Sequence, residues 1–204
     1  MPKQYPAELR ERADWLDRVG AIMTGIYMRR CAKTEEELAA ALSAGICAAG
    51  VDVIDIGRVP TPLVYYATVL TGSGSGVAVT GSHNPPEYNG LKMMLAGKTL
   101  YGDEITGIGR TLADPASYAA LFGSRTGTVS HRDVLPDYLA KVTGDIRLAR
   151  PMKVVIDAGN GIAGAVAPQL LRAIGCPDLT ELFCEVDGNF PNHHPDPAHP
   201  ENLQ

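Results

Sequence analysis

From residue 34 onward, segments with the hydrophobic pattern of a helix alternate with short β-branched segments typical of strands. Thr34 and Glu37 have the spacing of a capping box, and the apolar positions that follow predict a helix that ends at Gly50. The β-branched run 51–57 predicts a strand directly after it. Helix followed at once by strand is typical of an α/β sheet covered by helices.

The next elements continue this alternation. Thr61 is predicted to be an N-cap, with Pro62 at the first helical position, and the run 76–80 predicts another strand. Asn89-Gly90 is a turn signal, after which 91–95 predicts one arm of a hairpin closed at Gly97. Residues 103–125 give no clear prediction, because two glycines weaken an otherwise well-started helix, and 133–142 predicts a further helix.

A second unit is predicted to begin near Arg150-Pro151. A buried strand, a glycine-rich turn and a helix follow, and 179–186 predicts one more strand before a proline-rich loop. We therefore predict an α/β fold, with a mixed sheet layered with helices and the beginning of a second α/β domain. The predicted divisions are an atypical segment 1–33, a first domain 34–149 and the start of a second domain 150–204.

Composition narrows the function only a little. The 204 residues are 45% hydrophobic, with a net charge of −5 and 6% aromatic residues. The sequence has no block of basic residues, which argues against a nucleic-acid partner. The N-terminus has no apolar signal region and no run reaches membrane-spanning length, so we expect a cytoplasmic protein without a membrane partner. The four widely spaced cysteines predict reduced thiols; they are Cys31, Cys47, Cys176 and Cys184.

The sequence VTGSHNPP contains the first candidate site. Ser82 follows the predicted strand 76–80, at the sheet edge where α/β proteins bind ligands, and two prolines stiffen the exit of the loop. A phosphorylated serine is a phosphoryl donor, His83 and Asn84 are potential hydrogen-bond donors to its oxygens, and Lys92 supplies a cation. From these residues alone, a serine- and asparagine-containing turn closed by prolines, with a solvated Lys92, is the somewhat favoured interpretation.

The sequence VVIDAGNGIAG contains a second candidate. Gly159, Gly161 and Gly164 match the G-x-G-x-x-G pattern, and Glu185 lies at the distance expected of a ribose-binding carboxylate. A dinucleotide- or phosphate-binding module without catalysis is therefore the alternative function. Glycines that merely allow a tight turn from strand to helix are a still simpler interpretation.

Two weaker patterns involve histidine. His193, His194, Asp196 and His199 lie close together, but two prolines, Pro195 and Pro197, interrupt them, which favours an ordinary loop over a zinc site. Ser82 and His83 are adjacent, which is poor geometry for a nucleophile and its base, and no nucleophile elbow is present.

Taken together, four segments resemble the bacterial phosphomannomutase/phosphoglucomutase enzymes of the α-D-phosphohexomutase superfamily. They are VPTPLVYYA at 59–67, VTGSHNPPEYNGLKMM at 79–94, RPMKVVIDAGNGIAG at 150–164 and CEVDGNFPNHHPDP at 184–197. The resemblance runs from about residue 35 to the end of the chain, and the T-G-S-H-N-P-P loop is its most specific part.

The resemblance implies an isomerase that interconverts hexose 1-phosphates and hexose 6-phosphates of mannose or glucose through a 1,6-bisphosphate. It implies that Ser82 is the phosphoserine, that Lys92 and His83 assist catalysis, and that the rest of the phosphate loop is Thr80, Gly81 and Asn84. It also implies Mg²⁺, held in part by the Ser82 phosphate. The family's opening segment and its D-G-D-G-D metal loop have no counterpart in these residues, so we expect a truncated member that is inactive alone.

Overall fold

A computed structural model of the chain describes residues 35–81, 89–194 and 196. Its helices are α1 (Glu35–Ala48), α2 (Thr61–Leu70), α3 (Asp103–Ala113), α4 (Pro115–Ala119), α5 (Leu135–Asp145) and α6 (Ala167–Ala173). Its strands are β1 (Val53–Asp55), β2 (Gly76–Thr80), β3 (Gly90–Leu95), β4 (Lys98–Thr99), β5 (Val129–His131), β6 (Lys153–Asp157) and β7 (Asp178–Leu182). A 3₁₀ turn at Ile162–Ala165 precedes α6.

The strands pair in both directions. β1 pairs with β5 and β6 with β7 in parallel, whereas β3 and β4 form an antiparallel hairpin, and β2 is the other neighbour of β3. The hairpin turn contains Ala96 and Gly97, both at positive φ, as a two-residue turn between twisted strands requires. The predicted α/β class, with helices and sheets, is confirmed, and among the described residues the parallel and antiparallel pairs lie in separate sheets.

The described residues fall into two units. The first contains 35–55, 73–79 and 91–131, and α1 packs Leu42 and Ile46 against apolar residues of β1, β2 and β3. A neighbouring cluster joins the hairpin to α3, and its buried members are Met93, Leu95, Leu100 and Ile108. Alternation along β3 directs Leu91, Met93 and Leu95 to this core.

The second unit contains 56–72, 80–81, 89–90 and the described residues from 132 onward. Its core contains Leu63 and Ala67 of α2, Val134 before α5 and Val166 before α6. The Tyr66 hydroxyl donates to the main-chain oxygen of Asp137 at 3.0 Å, which fixes α2 against α5. The parallel β6–β7 pair carries the glycine-rich turn at its carboxyl end.

Several local predictions differ from the structure. Helix α2 begins at Thr61 itself after Pro60, so the prediction that Thr61 is the N-cap is wrong by one position. The predicted strand 179–186 is too long, because β7 ends at Leu182 and Phe183 has a φ of 49°. The unclear region 103–125 contains α3 and α4, and β5 was not predicted. The proposed cap Thr34 lies outside the described residues.

No helix within the described ranges has the length and apolarity needed to cross a membrane.

Candidate functional site

The first candidate site begins where β2 ends. Thr80 is the last residue of β2, Gly81 follows it, and both are half-buried. The main-chain oxygen of Thr80 lies 3.3 Å from where a Cβ on Gly90 would stand, so the two ends of the loop meet closely. Ser82, His83 and Asn84 lie outside the described residues, and their assigned roles stay predictions.

Lys92 is the described cation of this candidate site. It lies on β3, two residues after Gly90, and it is exposed, whereas Met93 and Leu95 are buried. Strand alternation therefore directs the lysine side chain away from the core that Met93 and Leu95 form. Its role at a phosphate is untested, and a solvated lysine has the same exposure.

The second candidate site is the turn that follows β6. Asp157 ends β6, and its Oδ1 accepts the N–H of Gly159 at 2.8 Å. Gly159 and Asn160 both lie in the left-handed region, with φ of 50° and 59°. The N–H of Gly161 then donates to the oxygen of Ala158 at 2.8 Å, which closes the turn.

This geometry does not favour the dinucleotide interpretation. A phosphate cradle needs main-chain N–H groups that point at the ligand, but those of Gly159 and Gly161 bond within the turn, and that of Asn160 donates to the oxygen of Phe183 at 2.8 Å. The N–H of Gly164 likewise donates to Gly161 at 3.0 Å. The predicted ribose-binding residue, Glu185, instead uses its main-chain oxygen to accept the side-chain amide of Asn160.

The third glycine of the pattern has a packing role. A Cβ on Gly164 would collide with the carbonyl oxygen of Cys184 and would lie 2.8 Å from its Cα. Gly164 is buried, so the chain after β7 can cross directly over the 3₁₀ turn. The glycine pattern in this protein thus permits a close backbone approach.

Asn160 is a structural residue of this site whose role could not be assigned from the sequence. It is 4% exposed, and its side chain bonds in two directions, donating to the oxygen of Glu185 at 2.9 Å and accepting from Nδ2 of Asn192 at 2.7 Å. Its main-chain oxygen also accepts the N–H of Asp187 at 2.9 Å. Asparagine tolerates the left-handed conformation better than most residues, so its position between two glycines was an available signal.

His193 returns to the same turn. Its Nε2 lies 3.1 Å from both carboxylate oxygens of Asp157, and its Nδ1 lies 3.0 Å from the oxygen of His194. The ring of Phe183 packs edge-on against the imidazole, with centroids 5.5 Å apart. The His194 carbonyl, and after it the Asp157 carboxylate, raise the pKa of His193 above its usual value.

The histidine-rich loop does not form a metal site in the part of the chain that the structure describes. No group of three potential ligands occurs there, and both ring nitrogens of His193 already lie within hydrogen-bond distance of acceptors, the oxygen of His194 and the carboxylate of Asp157. His194 and Asp196 are described, and the N–H of Asp196 donates to Nδ1 of His194 at 3.3 Å. His199 lies outside the described residues.

The described cysteines are free thiols, namely Cys47, Cys176 and Cys184. Burial, more than any neighbouring charge, raises the pKa of the Cys47 and Cys184 thiols. Both are therefore poor thiolate nucleophiles at neutral pH. Cys31 lies outside the described residues.

Comparison with known proteins identifies the family of the chain. The family model for phosphoglucomutase/phosphomannomutase, alpha/beta/alpha domain I, matches residues 33–119, and the model for domain II matches residues 136–204. A phosphomannomutase/phosphoglucomutase of Pseudomonas aeruginosa is 49% identical over 168 residues, which are 82% of this chain and 35% of the relative. A phosphoglucomutase of Neisseria meningitidis is 48% identical over 168 residues, again 82% of this chain and 36% of the relative.

A solved structure agrees with these matches. A phosphoglucomutase/phosphomannomutase family protein from Burkholderia thailandensis superposes with a TM-score of 0.77 at 42% identity, covering 100% of this chain and 46% of that one. The fold is therefore that of the first two domains of an α-D-phosphohexomutase. The chain belongs to the phosphoglucomutase/phosphomannomutase family, and it spans about a third of the length of the curated relatives it matches.

Proposed function

We propose that these residues are the phosphoserine-bearing part of a phosphohexomutase that interconverts the 1-phosphate and 6-phosphate of glucose or mannose. The T-G-S-H-N-P-P loop, on a chain matched by the models of both domain I and domain II, carries this proposal. The close approach of Thr80 and Gly90 supports it, because the two residues that flank the loop lie together at the end of β2, where α/β sheets bind ligands.

The proposed reaction has two phosphoryl transfers. The Ser82 phosphate passes to the free hydroxyl of a hexose monophosphate, so the Oγ–P bond breaks and a hexose 1,6-bisphosphate forms. After the bisphosphate has turned round, Ser82 Oγ takes back the other phosphoryl group and the product monophosphate leaves. Such transfers depend on positioning and on cations that neutralise the phosphoryl oxygens, which are the roles proposed for His83 and Lys92.

Thr80, Gly81 and Asn84 are proposed to shape the phosphate loop. Mg²⁺ is the proposed metal, with the Ser82 phosphate as one ligand, because a hard cation prefers phosphate and carboxylate oxygens. The described residues gather no three-ligand group, so we assign no step to the metal. The proposed division is domain I at 34–149 and domain II from 150, after the atypical segment 1–33.

The direct test is whether Ser82 becomes covalently phosphorylated. The purified 204-residue chain, incubated with a hexose 1,6-bisphosphate and Mg²⁺, is expected to gain the mass of one phosphoryl group, and peptide mapping should assign it to Ser82. Ser82→Ala removes the acceptor and should abolish the gain. Ser124→Ala, at an exposed serine of a described loop, is the matched control and should leave the gain unchanged.

A coupled assay of glucose 1-phosphate conversion separates labelling from turnover. We expect the chain alone to accept the phosphoryl group without sustained conversion. A phosphoryl group that appears on another residue, or that persists in Ser82→Ala, would contradict the assigned role of Ser82.

A further inference from the structure

The chain after β7 folds back over the carboxyl end of β6, and two side chains hold it there. We call residues 183–194 the return segment. Asn160 binds the first part of the return segment through its main chain and its side chain. Its N–H donates to the oxygen of Phe183, its side-chain amide donates to the oxygen of Glu185, and its main-chain oxygen accepts the N–H of Asp187. None of these bonds involves a titrating group, so this attachment does not depend on pH near neutrality.

The end of the return segment is held differently. His193 faces two acceptors at once, the carboxylate of Asp157 at 3.1 Å and the carbonyl of His194 at 3.0 Å. A carbonyl oxygen and an ionised carboxylate accept hydrogen bonds and do not donate them, so both contacts are hydrogen bonds at once only when both ring nitrogens carry a proton. The two contacts are therefore best satisfied by the imidazolium form.

The surroundings are shaped for the ring. A Cβ on Gly159 would lie 3.0 Å from Cε1 of His193, so the glycine leaves the space that the imidazole occupies. Phe183 covers another side at an interplanar angle of 74°. The His193 and Asp157 side chains are 22% and 35% exposed, whereas the surface pair of His131 and Asp55 is 78% and 46% exposed at 3.5 Å.

We propose that Asp157 and His193 form a latch, closed only while the imidazole is protonated, that fixes the end of the return segment to the carboxyl end of β6. This inference is independent of the proposed mutase activity. A neutral imidazole has one N–H, so either tautomer leaves a nitrogen lone pair against an acceptor, at Asp157 or at His194. Loss of the proton therefore opens the latch and leaves Asp157 with an uncompensated negative charge at an edge where α/β sheets bind ligands.

The elements packed around this pair carry other charged and titratable groups. Those groups are Lys153 on β6, Asp178 and Glu181 on β7, Arg172 on α6, Cys184, Glu185, Asp187 and His194 on the return segment, and Asp196 beyond it. Lys153 pairs with Asp178 and Arg172 with Glu181, so both cations are engaged with β7. Asp187 accepts from Asn189 within its own turn. Asp157 is the carboxylate hydrogen-bonded to the ring.

The direction of the pH effect follows from the raised pKa of His193. A group whose pKa is higher in the folded state stabilises that state fully below the unfolded value, here about 6.5, and the contribution is lost as pH rises through the folded value. The latch is thus closed in mildly acidic solution and opens on the alkaline side of 6.5.

The test is an NMR titration of the imidazole nitrogens of the full 204-residue chain, in which the signals of His193 are assigned by their absence from His193→Gln. We expect both nitrogens of His193 to stay protonated above pH 6.5, and contacts between the His193 and Phe183 rings to disappear at the same midpoint. Asp157→Asn keeps an acceptor for the Gly159 N–H but removes the charge, and it should lower that midpoint.

His193→Gln provides the second arm. It removes the imidazole, so the change in the amide signals of residues 157–160 that shares the midpoint of His193 should vanish, while His131→Gln should retain it. Intact β6–β7 amide protection establishes that each variant is folded. A midpoint unchanged by Asp157→Asn, or ring contacts that persist through the titration, would overturn the latch.

Discussion

Replacing Asn160 by alanine tests how the return segment is anchored. The wild-type side chain donates to the oxygen of Glu185 at 2.9 Å and accepts from Asn192 at 2.7 Å, in a residue that is 4% exposed with φ of 59°. Alanine removes both bonds and leaves the carbonyl of Glu185 without this donor. It also puts a residue that avoids the left-handed region at a left-handed position.

The expected loss of stability in Asn160→Ala is the sum of these two effects. A net hydrogen bond contributes about 1 kcal/mol, so the two together contribute about 2 kcal/mol. The left-handed conformation of a non-glycine residue costs about 1 kcal/mol more. We therefore expect Asn160→Ala to lower the free energy of opening of the β6–β7 pair by about 3 kcal/mol, and Asn160→Gly, which has no such strain, by about 2 kcal/mol.

Native-state hydrogen exchange at the β6–β7 amides is the suitable measurement, because a chain with two units need not unfold in one step. Asn192→Ala is the matched control: it removes one of the two side-chain bonds from an exposed partner, so the loss should be about 1 kcal/mol. The expected order of stability is wild type, Asn192→Ala, Asn160→Gly, Asn160→Ala. Equal losses in the alanine and glycine variants would refute the argument from strain, and a loss in Asn160→Ala no larger than in Asn192→Ala would refute the anchoring role.

Three further substitutions probe other parts of the structure. Gly164→Ala should destabilise the second unit by at least about 1–3 kcal/mol, because the Cβ of the new alanine collides with the main chain of Cys184. Gly109→Ala, on α3 with open space around its Cβ, should instead stabilise the first unit by up to about 1 kcal/mol in urea unfolding. Asp52 accepts the N–H of Thr128, a hydrogen bond that more than any other contact lowers the pKa of its carboxyl. The stabilising effect of Asp52 is complete above about 3.8 and lost as pH falls through the lowered value, so the stability difference between wild type and Asp52→Asn should shrink on acidification; a constant difference would contradict this.

The fold could be predicted where local signals decide the structure. The hairpin was predicted from the Asn-Gly turn and Gly97, and the structure closes it through two residues at positive φ. Strand β5 could not be predicted, because its three residues are all exposed and carry no apolar period. Its conformation is set by parallel pairing with β1, which lies more than seventy residues earlier.

The second candidate site could be predicted only in part, for a similar reason. The histidine cluster and the strand end at Asp157 were both recognised, but as separate features. His193 and Asp157 are 36 residues apart, and no periodicity or spacing relates them. Their pairing depends on where β7 ends and on the turn at Phe183, which directs the chain back over β6.

The glycine pattern G-x-G-x-x-G shows that a motif can be assigned a function only when the hydrogen-bond partners of its residues are known. In a nucleotide-binding turn, glycines let the ligand approach main-chain N–H groups that have no other partner. In this protein the same glycines let another part of the chain approach. The ring of His193 packs against Gly159, and the main chain of Cys184 packs against Gly164. The N–H groups of Gly159, Asn160, Gly161 and Gly164 all donate within the turn or to the chain after β7, so these four are not free to bind a phosphate, and Asn160 is the residue of the pattern that holds that chain in place.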